Sequence, residues 1–435
     1  MIPRLHQLLR YSLWALLPLF VVTRLLNYWF ISNSAMPARP GPDEVASSLL
    51  VEKRLQLQSS ERIQSLWAGY GQIARIFAVS DKPTNPESYI LKLVTPPSAR
   101  ADDEGHIRKM LSYQVEQYFY SELAPQMPTY IPVATCLKSI HKRNSDGASI
   151  TAMILTDLKQ VYPVAGEKRD ALSPTQAKAA LNWLSNFHGF WWSRVEEMNR
   201  SSLVLPPLEE AKRNLGDTVD KTVWLNGGYT YLATRRKEYG GLVNDVKSEW
   251  SKYLTLPIGD HKLSIAEMVA AFLAPKPSGS TAISGYQTLI HGDVKSENLF
   301  SSTSGEDVVF YDFQYVGIGL GVCDLAKFFT CSVPLSMLAT DSKLARELGM
   351  QSGEKQLLSM YWKQLAKESG KSYEWDTFVR HWEIGLVDWL RFQASWGFWG
   401  NTEWLEARVR SILNDQGWRK FLYDSVAITD EKMPK

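Results

Sequence analysis

Residues 288–314, TLIHGDVKSENLFSSTSGEDVVFYDFQ, decide how the rest of the chain is interpreted. An apolar run that predicts a short strand, Thr288 to Ile290, leads into a polar loop that carries Asp293 and, after a four-residue spacer, Asn298. A second β-like run then delivers Asp312. The stretch therefore places two carboxylates and one amide on a strand-loop-strand unit, in which their side chains can converge.

This set of residue types suits phosphoryl transfer. In that reaction the protein mainly positions its substrates, supplies oxygens that hold a metal ion, and offers one group that accepts the proton of the attacking hydroxyl. An Asp- and Asn-rich loop between two strands is also a common turn, and for the triplet HGD alone that interpretation stays open. The full spacing, with Asp312 and Asp324 further along, favours the catalytic interpretation.

The motif HGDVKSEN at residues 291–298, followed by DFQ at 312–314, resembles the catalytic and metal-binding motifs of the aminoglycoside phosphotransferase and choline kinase superfamily. The DFQ ending is most similar to its ecdysteroid-kinase-like (CHK kinase-like) branch of small-molecule kinases. The resemblance implies a role for each motif residue: Asp293 as catalytic base, Lys295 as a cation that neutralises the transferring group, Asn298 and Asp312 as Mg²⁺ ligands, and Asp324 with His291 as a brace of the catalytic loop.

Upstream, the chain carries candidates for nucleotide binding. Gly69 and Gly71 lie in WAGYG, a turn between two extended segments whose backbone amides could approach phosphates, with a plain hairpin turn as the alternative. Lys92 interrupts the apolar, strand-like run 88–94, SYILKLV. It resembles the kinase lysine that holds the α- and β-phosphates of ATP, and an exposed edge-strand lysine is the alternative.

The next segment, residues 105–123, has helical periodicity. The resemblance implies that Glu116 on this helix pairs with Lys92. Because Glu116 lies off the strongest apolar stripe, a solvated surface charge stays open, and Glu104 is then the substitute partner.

Two strand-like runs, Tyr130 to His141 and Ala148 to Leu155, lead to Thr156-Asp157-Leu158. This tripeptide resembles the hinge between kinase lobes, where backbone groups hydrogen-bond adenine. Many relatives carry Glu-Asp-Leu there, so the threonine departs from the pattern and puts side-chain contacts to adenine in question.

From Ser173 onward the chain is mostly helical, beginning with an N-cap serine and a proline at the first helical position. His188, among aromatic residues, is interpreted as a packed core histidine rather than a catalytic base. Residues 200–285 predict two or three further helices, and the resemblance implies that they build part of the acceptor pocket.

Residues 381–404 hold five of the 16 tryptophans. Core packing is the favoured interpretation of these rings, and an aromatic wall that binds a flat apolar acceptor or a cation is the alternative. Asp388, Trp389 and Arg391 are the candidate acceptor contacts within this stretch.

Composition excludes several classes of protein. The 435 residues suggest two lobes, and 45% hydrophobic with 22% charged residues is typical of a globular chain. A net charge of +2 gives no basic field for nucleic acid. The three cysteines are scattered and form neither a zinc motif nor a disulfide framework.

The N-terminal segment is hydrophobic. Residues 11–31 are long enough, as a helix, to cross about 30 Å of hydrocarbon, and Arg4 and Arg10 precede them without any acid before Asp43. A membrane anchor, a cleaved targeting peptide and a peripheral helix all stay open, and so does the side of the membrane. If this segment neither anchors nor targets the protein, we expect the protein to be cytoplasmic.

We therefore predict an α+β, two-lobed, protein-kinase-like fold, whose small lobe has an antiparallel sheet and one main helix and whose larger lobe is mainly helical. The predicted divisions are 1–42 for the targeting or anchor segment, 43–158 for the nucleotide-binding lobe and 159–435 for the lobe with the catalytic loop and acceptor pocket. The predicted function is ATP- and Mg²⁺-dependent phosphorylation of a small-molecule hydroxyl, with no protein partner implied. The alternatives are a non-catalytic, pseudokinase-like binding module and, less favoured because Gly292 replaces the arginine of HRD, a protein kinase.

Overall fold

A computed structural model describes residues 40–80, 85–100, 102–143, 149–213, 221–257, 262–275, 283–340 and 343–430. Within these ranges no helix combines the length and the apolar character needed to span a membrane. The hydrophobic segment 11–31, for which a membrane or targeting role is predicted, lies outside the described residues.

The small lobe is built on a five-stranded antiparallel sheet with the order β1-β2-β3-β5-β4. On the back of the sheet, helix α1 buries Ala46 and Leu50 against strand side chains such as Leu91 and Ile154. This apolar face stabilises the sheet from the side opposite the site. The strands are β1 Leu55–Ser65, β2 Gly71–Ser80, β3 Glu87–Val94, β4 Cys136–Arg143 and β5 Ser149–Thr156, and α1 is Pro42–Val51.

The one long helix of this lobe, α2 (Glu104–Tyr118), continues into a π-helical turn, Phe119–Leu123. Its N-terminus is capped by Asp103, whose side chain accepts a hydrogen bond from the His106 N–H at 3.0 Å. Val115 and Phe119 are fully buried in the core that also contains the helices of the larger lobe. The helix therefore connects the sheet to the rest of the molecule.

The larger lobe is helical. Its first helix, α3, starts with a capping box in which Ser173 and Gln176 exchange hydrogen bonds between side chain and backbone. The helices are α3 Pro174–Trp192, α4 Pro207–Lys212, α5 Arg236–Asn244, α6 Glu249–Thr255, α7 Ile265–Leu273, α8 Gly321–Cys331, α9 Leu335–Leu338, α10 Ser352–Ser369, α11 Trp375–Trp396, α12 Thr402–Asn414 and α13 Gln416–Asp430.

Short strands at the junction of the lobes carry the polar motif. Strand β7 pairs with β10, and β8 lies between β6 and β9. The antiparallel pairing of β8 with β9 places Leu299 opposite Phe310, so the loop before β8 and the loop after β9 lie side by side. These strands are β6 Val164–Ala165, β7 Thr288–Ile290, β8 Leu299–Ser301, β9 Val308–Phe310 and β10 Gly317–Gly319.

The predicted two-lobed, protein-kinase-like α+β fold is confirmed, with two local corrections. The strand expected to begin at Tyr130 begins only at Cys136. Pro132 has no N–H to donate to a ladder, and Ile131 is held in a turn by the Pro128 carbonyl. Between residues 200 and 285 the described part of the chain forms four helices, α4 to α7, rather than two or three.

Candidate active site

Lys92 lies in the interlobe cleft, the junction at which strand β3, helix α2 and the loop that carries Asp312 meet. Its Nζ is 2.6 Å from Glu116 Oε2 and 3.1 Å from Asp312 Oδ1. Strand β3 supplies the lysine, helix α2 the glutamate, and the loop after β9 the aspartate. The three side chains tie together three parts of the chain that are far apart in sequence.

The predicted pair of Lys92 with Glu116 is therefore confirmed. Glu116 is only 2% exposed, so its interpretation as a solvated surface charge is wrong. The substitute partner, Glu104, instead lies 3.8 Å from Arg108. Lys92 is 5% exposed, which also rules out the exposed edge-strand interpretation.

Burial and charge set the protonation of this cluster. Burial raises the pKa of Glu116 to about 7; Lys92 opposes the rise and the negative charge of Asp312 adds to it. Burial likewise opposes ionisation of Asp312, but the ammonium group of Lys92 holds the pKa of Asp312 below its ordinary value. Against burial, Asp312 and Glu116 raise the pKa of Lys92, so the lysine stays charged.

The catalytic loop gathers the predicted base and its neighbours. Asn298 Nδ2 donates to the Asp293 carbonyl at 2.9 Å and to Asp293 Oδ2 at 3.1 Å. Lys295 Nζ lies 3.1 Å from the same Oδ2 and 3.3 Å from Glu297 Oε1. Asp293 is thus a carboxylate held by an amide and an ammonium, and one of its oxygens takes both contacts.

Asn298 and Asp312 come from adjacent backbones. The Tyr311 N–H donates to the Asn298 carbonyl at 3.0 Å, and the next residue, Asp312, adopts a left-handed conformation with φ of 67°. This conformation is rare for a residue other than glycine and is typical of functional sites. It accompanies the placement of the Asp312 carboxylate beside Lys92.

The donor set fits Mg²⁺. No cluster of three or more His, Cys, Asp or Glu side chains that could hold a metal occurs within the described ranges. Mg²⁺ needs only one or two carboxylates because phosphates and waters complete its octahedron. The Asp312 carboxylate and the Asn298 amide oxygen are hard oxygen donors of the required kind, and the Asn298 amide nitrogen is already engaged by Asp293.

Helix α8 holds the catalytic loop through two of its side chains. The fully buried Asp324 accepts the His291 N–H at 2.7 Å and the Gly292 N–H at 2.9 Å. Lys327, one turn later, donates to the Gly292 carbonyl at 2.7 Å. Asp324 is the predicted brace, whereas no role is predicted for Lys327, although a spacing of three residues on a helix places both on one face.

Two histidines support this loop from inside. His188 is fully buried; its Nε2 lies 3.2 Å from Asp324 Oδ2 and its Nδ1 2.8 Å from the Tyr361 hydroxyl. The core interpretation of His188 is therefore correct, with a contact to the brace in addition. His291 Nδ1 accepts the Asp293 N–H at 3.2 Å, which leaves Nε2 to donate to the Tyr311 carbonyl at 3.0 Å.

Gly292 is required by the packing of this loop. Its φ is +85°, and a Cβ atom there would lie 2.2 Å from the Tyr315 carbonyl oxygen and 2.7 Å from the Gly228 nitrogen. Both contacts are with backbone, which cannot move aside cheaply. The glycine thus lets the catalytic loop lie directly against the segment around Gly228.

Gln314 is a further residue of the site, and no role is predicted for it from the sequence. Its Nε2 donates to Asp312 Oδ1 at 2.7 Å, and its Oε1 accepts from the Ser112 hydroxyl at 3.1 Å. Phe313 stacks on Phe119 with ring centroids 3.8 Å apart. Through these contacts, both residues that follow Asp312 are attached to the helical segment that carries Glu116.

The predicted glycine turn joins β1 to β2. Ala68, Gly69 and Gly71 all have positive φ angles, and a Cβ atom on Gly71 would lie 2.0 Å from the Leu93 carbonyl oxygen. Successive residues of this kind can present backbone N–H groups to an anion. Phosphate binding by Gly69 and Gly71 stays a prediction.

The predicted hinge has structural contacts of its own. Asp157 accepts from Arg75 and from Ser88, each at 2.7 Å, and caps the short helical turn that follows through the Lys159 N–H. Thr156 Oγ1 accepts the Thr135 N–H at 3.0 Å. These side chains fix the shape of the connection, and backbone contacts of Thr156, Asp157 and Leu158 with adenine stay a prediction.

The predicted acceptor contacts Asp388, Trp389 and Arg391 lie inside the lobe. Arg391 is fully buried, with Nη2 2.8 Å from Asp388 Oδ1 and a second hydrogen bond to the Thr230 carbonyl. Trp389 packs edge-on against Trp399 at 5.4 Å. The ion pair supports the segment around Thr230, and the burial of Arg391 argues against direct contact with an acceptor.

A cavity of about 330 Å³ lies elsewhere, between α11 and α12. Trp375, Glu383 and Arg408 help to line it, and the side chains described above do not. A large cavity is the default place to seek an active site, but the convergent carboxylates, amide and lysines of this protein lie in the cleft.

The brace by Asp324 leads to a prediction for Asp324→Asn. An amide offers one acceptor oxygen where the carboxylate takes two backbone N–H groups, so we expect the free energy of unfolding at pH 7 to fall by about 3 kcal/mol. Burial opposes ionisation of Asp324, but contacts with His188 and the charge of Lys327 hold its pKa below 3.8. The ionised carboxylate therefore contributes stability above pH 3.8 that is lost as the pH falls through the lower, folded-state pKa.

Urea denaturation from pH 3 to 8 measures this effect, and the difference between wild type and variant should shrink at the acid end. The matched control is Asp415→Asn. Like Asp324, Asp415 accepts from a backbone N–H and from a basic side chain, here Arg380, but it is partly exposed. We expect the control to lose less than about 1 kcal/mol. Equal losses for both variants would show that Asp324 is not a special support of the loop.

The chain can be compared with known proteins. Among curated proteins no significant match is found. Choline kinase from Cryptosporidium parvum Iowa II is a similar solved structure, with 10% identity, coverage of 87% of this chain and 90% of that chain, and a TM-score of 0.40. An ethanolamine kinase from Plasmodium vivax has 13% identity, coverage of 89% of this chain and 93% of that chain, and a TM-score of 0.37. A macrolide 2'-phosphotransferase from Brachybacterium faecium has 10% identity, coverage of 82% of this chain and 97% of that chain, and a TM-score of 0.38.

The family comparison is decisive. The model of the ecdysteroid kinase-like family matches residues 70–368, well over half of the chain. The match begins within the glycine turn, directly after Gly69, and continues through the hinge, the catalytic loop and helix α8. It therefore contains Lys92, Glu116, the catalytic loop and Asp312. The branch expected from the HGD and DFQ motifs is thereby confirmed, and the chain belongs to the ecdysteroid kinase-like family.

Proposed function

We propose that this protein transfers the γ-phosphoryl group of ATP, in the presence of Mg²⁺, to a hydroxyl group of a small molecule. The observation that carries the proposal is the buried contact of Lys92 with both Glu116 and Asp312, at 2.6 and 3.1 Å. Burying an ammonium between two carboxylates costs desolvation free energy. Charged groups with such strongly shifted pKa values cluster at functional sites, which supports a role for this cluster in binding a charged ligand. The rest of the family's catalytic set lies on the adjoining loop.

Each residue then has a part in the reaction. Asp293 accepts the proton of the acceptor hydroxyl, whose oxygen forms a bond to the γ-phosphorus as the bond from that phosphorus to the departing ADP oxygen breaks. Lys92 and Lys295 face the negative charge of the phosphates. Asn298 and Asp312 would hold Mg²⁺, which neutralises phosphate charge when it is bound.

The acceptor side of the cleft supports a small molecule. The segment around Gly228 packs directly on the catalytic loop, with the Gly228 N–H donating to the Tyr315 carbonyl at 2.9 Å. Tyr229 follows and packs against Tyr315 at 5.2 Å. An aromatic side chain so near the catalytic loop favours a compact acceptor with apolar surface.

The experiment is a thermal shift measurement on the purified protein, followed by a transfer assay. ATP with Mg²⁺ should raise the melting temperature, by the equivalent of about 2.7 kcal/mol at a hundredfold excess over Kd, and ATP or Mg²⁺ alone should raise it less. Incubation with γ-labelled ATP and a small-molecule extract should then yield a labelled, phosphatase-sensitive product.

The alternatives predict different results. A non-catalytic binding module would label no small molecule, and it need not show stabilisation that depends on the metal. A protein kinase would label a peptide library in preference to the extract. Either result would replace the proposal.

A further inference from the structure

Arg235, just before helix α5, lies within an aromatic cage. Its guanidinium carbon is 4.8 Å from the ring centre of Tyr229, 5.4 Å from that of Trp396 and 5.6 Å from that of Phe392. The rings of Phe392 and Trp396 are nearly parallel, and Tyr229 meets Phe392 edge-on at 5.2 Å. Three rings around one cation form the arrangement that binds ammonium groups in proteins.

The cage adjoins the catalytic loop. Lys327 Nζ is 2.7 Å from the Gly292 carbonyl and 5.9 Å from the ring centre of Tyr229. Gly228, next to Tyr229, lies so close to Gly292 that a Cβ atom on it would be 3.7 Å from the Gly292 carbonyl. Tyr229 is therefore a wall shared by the cage and the place where the acceptor hydroxyl must meet Asp293.

The protein's own side chain fills the cage. Arg235 is 5% exposed, and its Nε donates to the Tyr229 carbonyl. Its Nη1 donates to Glu238 Oε1 at 3.1 Å, and Glu238 also lies 3.7 Å from Arg108. Arg108 in turn donates to the carbonyl of Thr234, the residue before Arg235, at 2.8 Å. Both the side chain of Arg235 and the backbone next to it are therefore held in place.

The charges of this cluster balance. Arg108 and Arg235 are matched by Glu104 and Glu238 within 3.8 Å. A second cation would meet the guanidinium at close range in a nearly dry site, where repulsion is strong. An anion gains little, because Glu238 already takes the guanidinium of Arg235.

The outer part of the cage is open. Trp396 is 55% exposed, and the neighbouring Phe398 is 43% exposed. Exposed aromatic faces next to a filled cage offer apolar contact without a vacant place for a cation.

We propose that Arg235 selects acceptors by their charge. By occupying the aromatic cage beside the catalytic loop, it excludes acceptors that carry an ammonium group and leaves the site to uncharged, apolar alcohols. This inference rests on the proposed function, since it concerns the acceptor side of the same cleft. It assigns to Arg235 a specificity role rather than a catalytic one.

The test uses two alcohols that differ only in charge, choline and 3,3-dimethyl-1-butanol, in which carbon replaces the quaternary nitrogen. Binding of each to the full chain is measured by titration calorimetry without nucleotide, so the result does not depend on phosphoryl transfer. The wild type should bind the uncharged alcohol at least about tenfold more tightly than choline. Arg235→Ala should remove this preference and raise the affinity for choline by about tenfold or more.

Two further variants separate charge from packing. Arg235→Lys keeps a cation in the cage and should keep the preference. Arg236→Ala is the matched control, because Arg236 is the adjacent residue, pairs with Glu209 at the surface and does not contact the cage; it too should keep the preference. Circular dichroism establishes that each variant is folded.

Several outcomes would overturn the inference: tight choline binding by the wild type, an unchanged preference in folded Arg235→Ala, or no binding of either alcohol to any variant. Failure of the proposed function is distinguishable, since it appears as absence of a labelled product in the transfer assay while the calorimetric preference persists.

Discussion

Replacing Asp293 with asparagine should lower kcat by about three orders of magnitude while leaving Mg²⁺-dependent ATP binding within a few-fold of wild type. The amide is close to isosteric but cannot accept the proton of the acceptor hydroxyl. Asn298 Nδ2 can still donate to the Asp293 backbone carbonyl, at 2.9 Å in the wild type, so the loop keeps its shape. Initial-rate kinetics for kcat and thermal shifts for ATP binding measure the two quantities separately.

The matched control is Glu297→Gln. Glu297 is the other carboxylate near Lys295, at 3.3 Å against 3.1 Å for Asp293, so both substitutions remove one negative charge beside the same ammonium group. We expect a change in kcat of less than about fivefold for Glu297→Gln, as for a partly exposed ion pair. Comparable rates for the two variants would contradict the assignment of Asp293 as the base.

The part of this site that is local in sequence could be predicted from the sequence. Asp293, Asn298 and Asp312 lie within one strand-loop-strand unit, so their spacing limits how far apart they can lie. Lys92 stands out because a lysine within an apolar strand must find an anion or reach solvent. In both cases a few neighbouring residues contain the signal.

Glu116 shows why other parts of the site cannot be predicted unambiguously from the sequence. A helical pattern reports which face is apolar, but a buried ion pair places a charged residue where the pattern predicts solvent. Only the meeting of strand β3, helix α2 and the loop after β9 makes that position buried. The same holds for Arg235, whose cage is built from α11 and the segment around Tyr229, far apart along the chain.

The stretch with Asp388 and Arg391 was interpreted from composition alone. Tryptophans alternate there with polar groups, which suits a binding wall as well as a packed helix. The structure buries Arg391 against the Thr230 carbonyl and leaves Trp396, five residues later, more than half exposed. The aromatic content of this region is visible in the sequence, whereas packing against Tyr229 and Thr230 determines which side chains face outward.

Catalytic-loop geometry depends on contacts from both sides of one peptide. On helix α8, the Asp324 side chain accepts the Gly292 N–H, and the Lys327 side chain donates to the Gly292 carbonyl. On the other side of the cleft, Gln314 attaches Asp312 to Ser112 of helix α2. A shift of α2 would therefore move Glu116 and Asp312 together, which couples the lysine pair to the proposed metal ligand.

Replacing Lys92 with methionine should lower kcat/KM for ATP by about two orders of magnitude or more, because it removes the cation that faces the phosphates. It should also lower the free energy of unfolding by about 3 kcal/mol near neutral pH, since Glu116 and Asp312 would lose their shared partner in a buried site. Steady-state kinetics and urea denaturation measure the two effects on the same preparation.

The loss of stability should depend on pH in a definite direction. In the wild type, burial raises the pKa of Glu116 from 4.5 to about 7 even though Lys92 opposes the rise. Without Lys92 this folded-state pKa must rise further. A raised carboxyl pKa lowers stability as the pH climbs from the unfolded to the folded value. The variant therefore keeps losing stability above the pH at which the wild type has stopped, and the difference between them should be larger at about pH 8.5 than at about pH 6.

Lys138→Met is the matched control for this substitution. Lys138 lies on β4 of the same sheet and also pairs with a glutamate, Glu52, but at the surface, where 32% of the lysine side chain and 56% of the glutamate side chain are exposed. Loss of such a solvent-screened pair should leave the midpoint of urea denaturation nearly unchanged and kcat/KM unaltered. If Lys92→Met retained kcat/KM within threefold of wild type, or became less destabilised at alkaline pH, the buried lysine could not be the group that positions the phosphates.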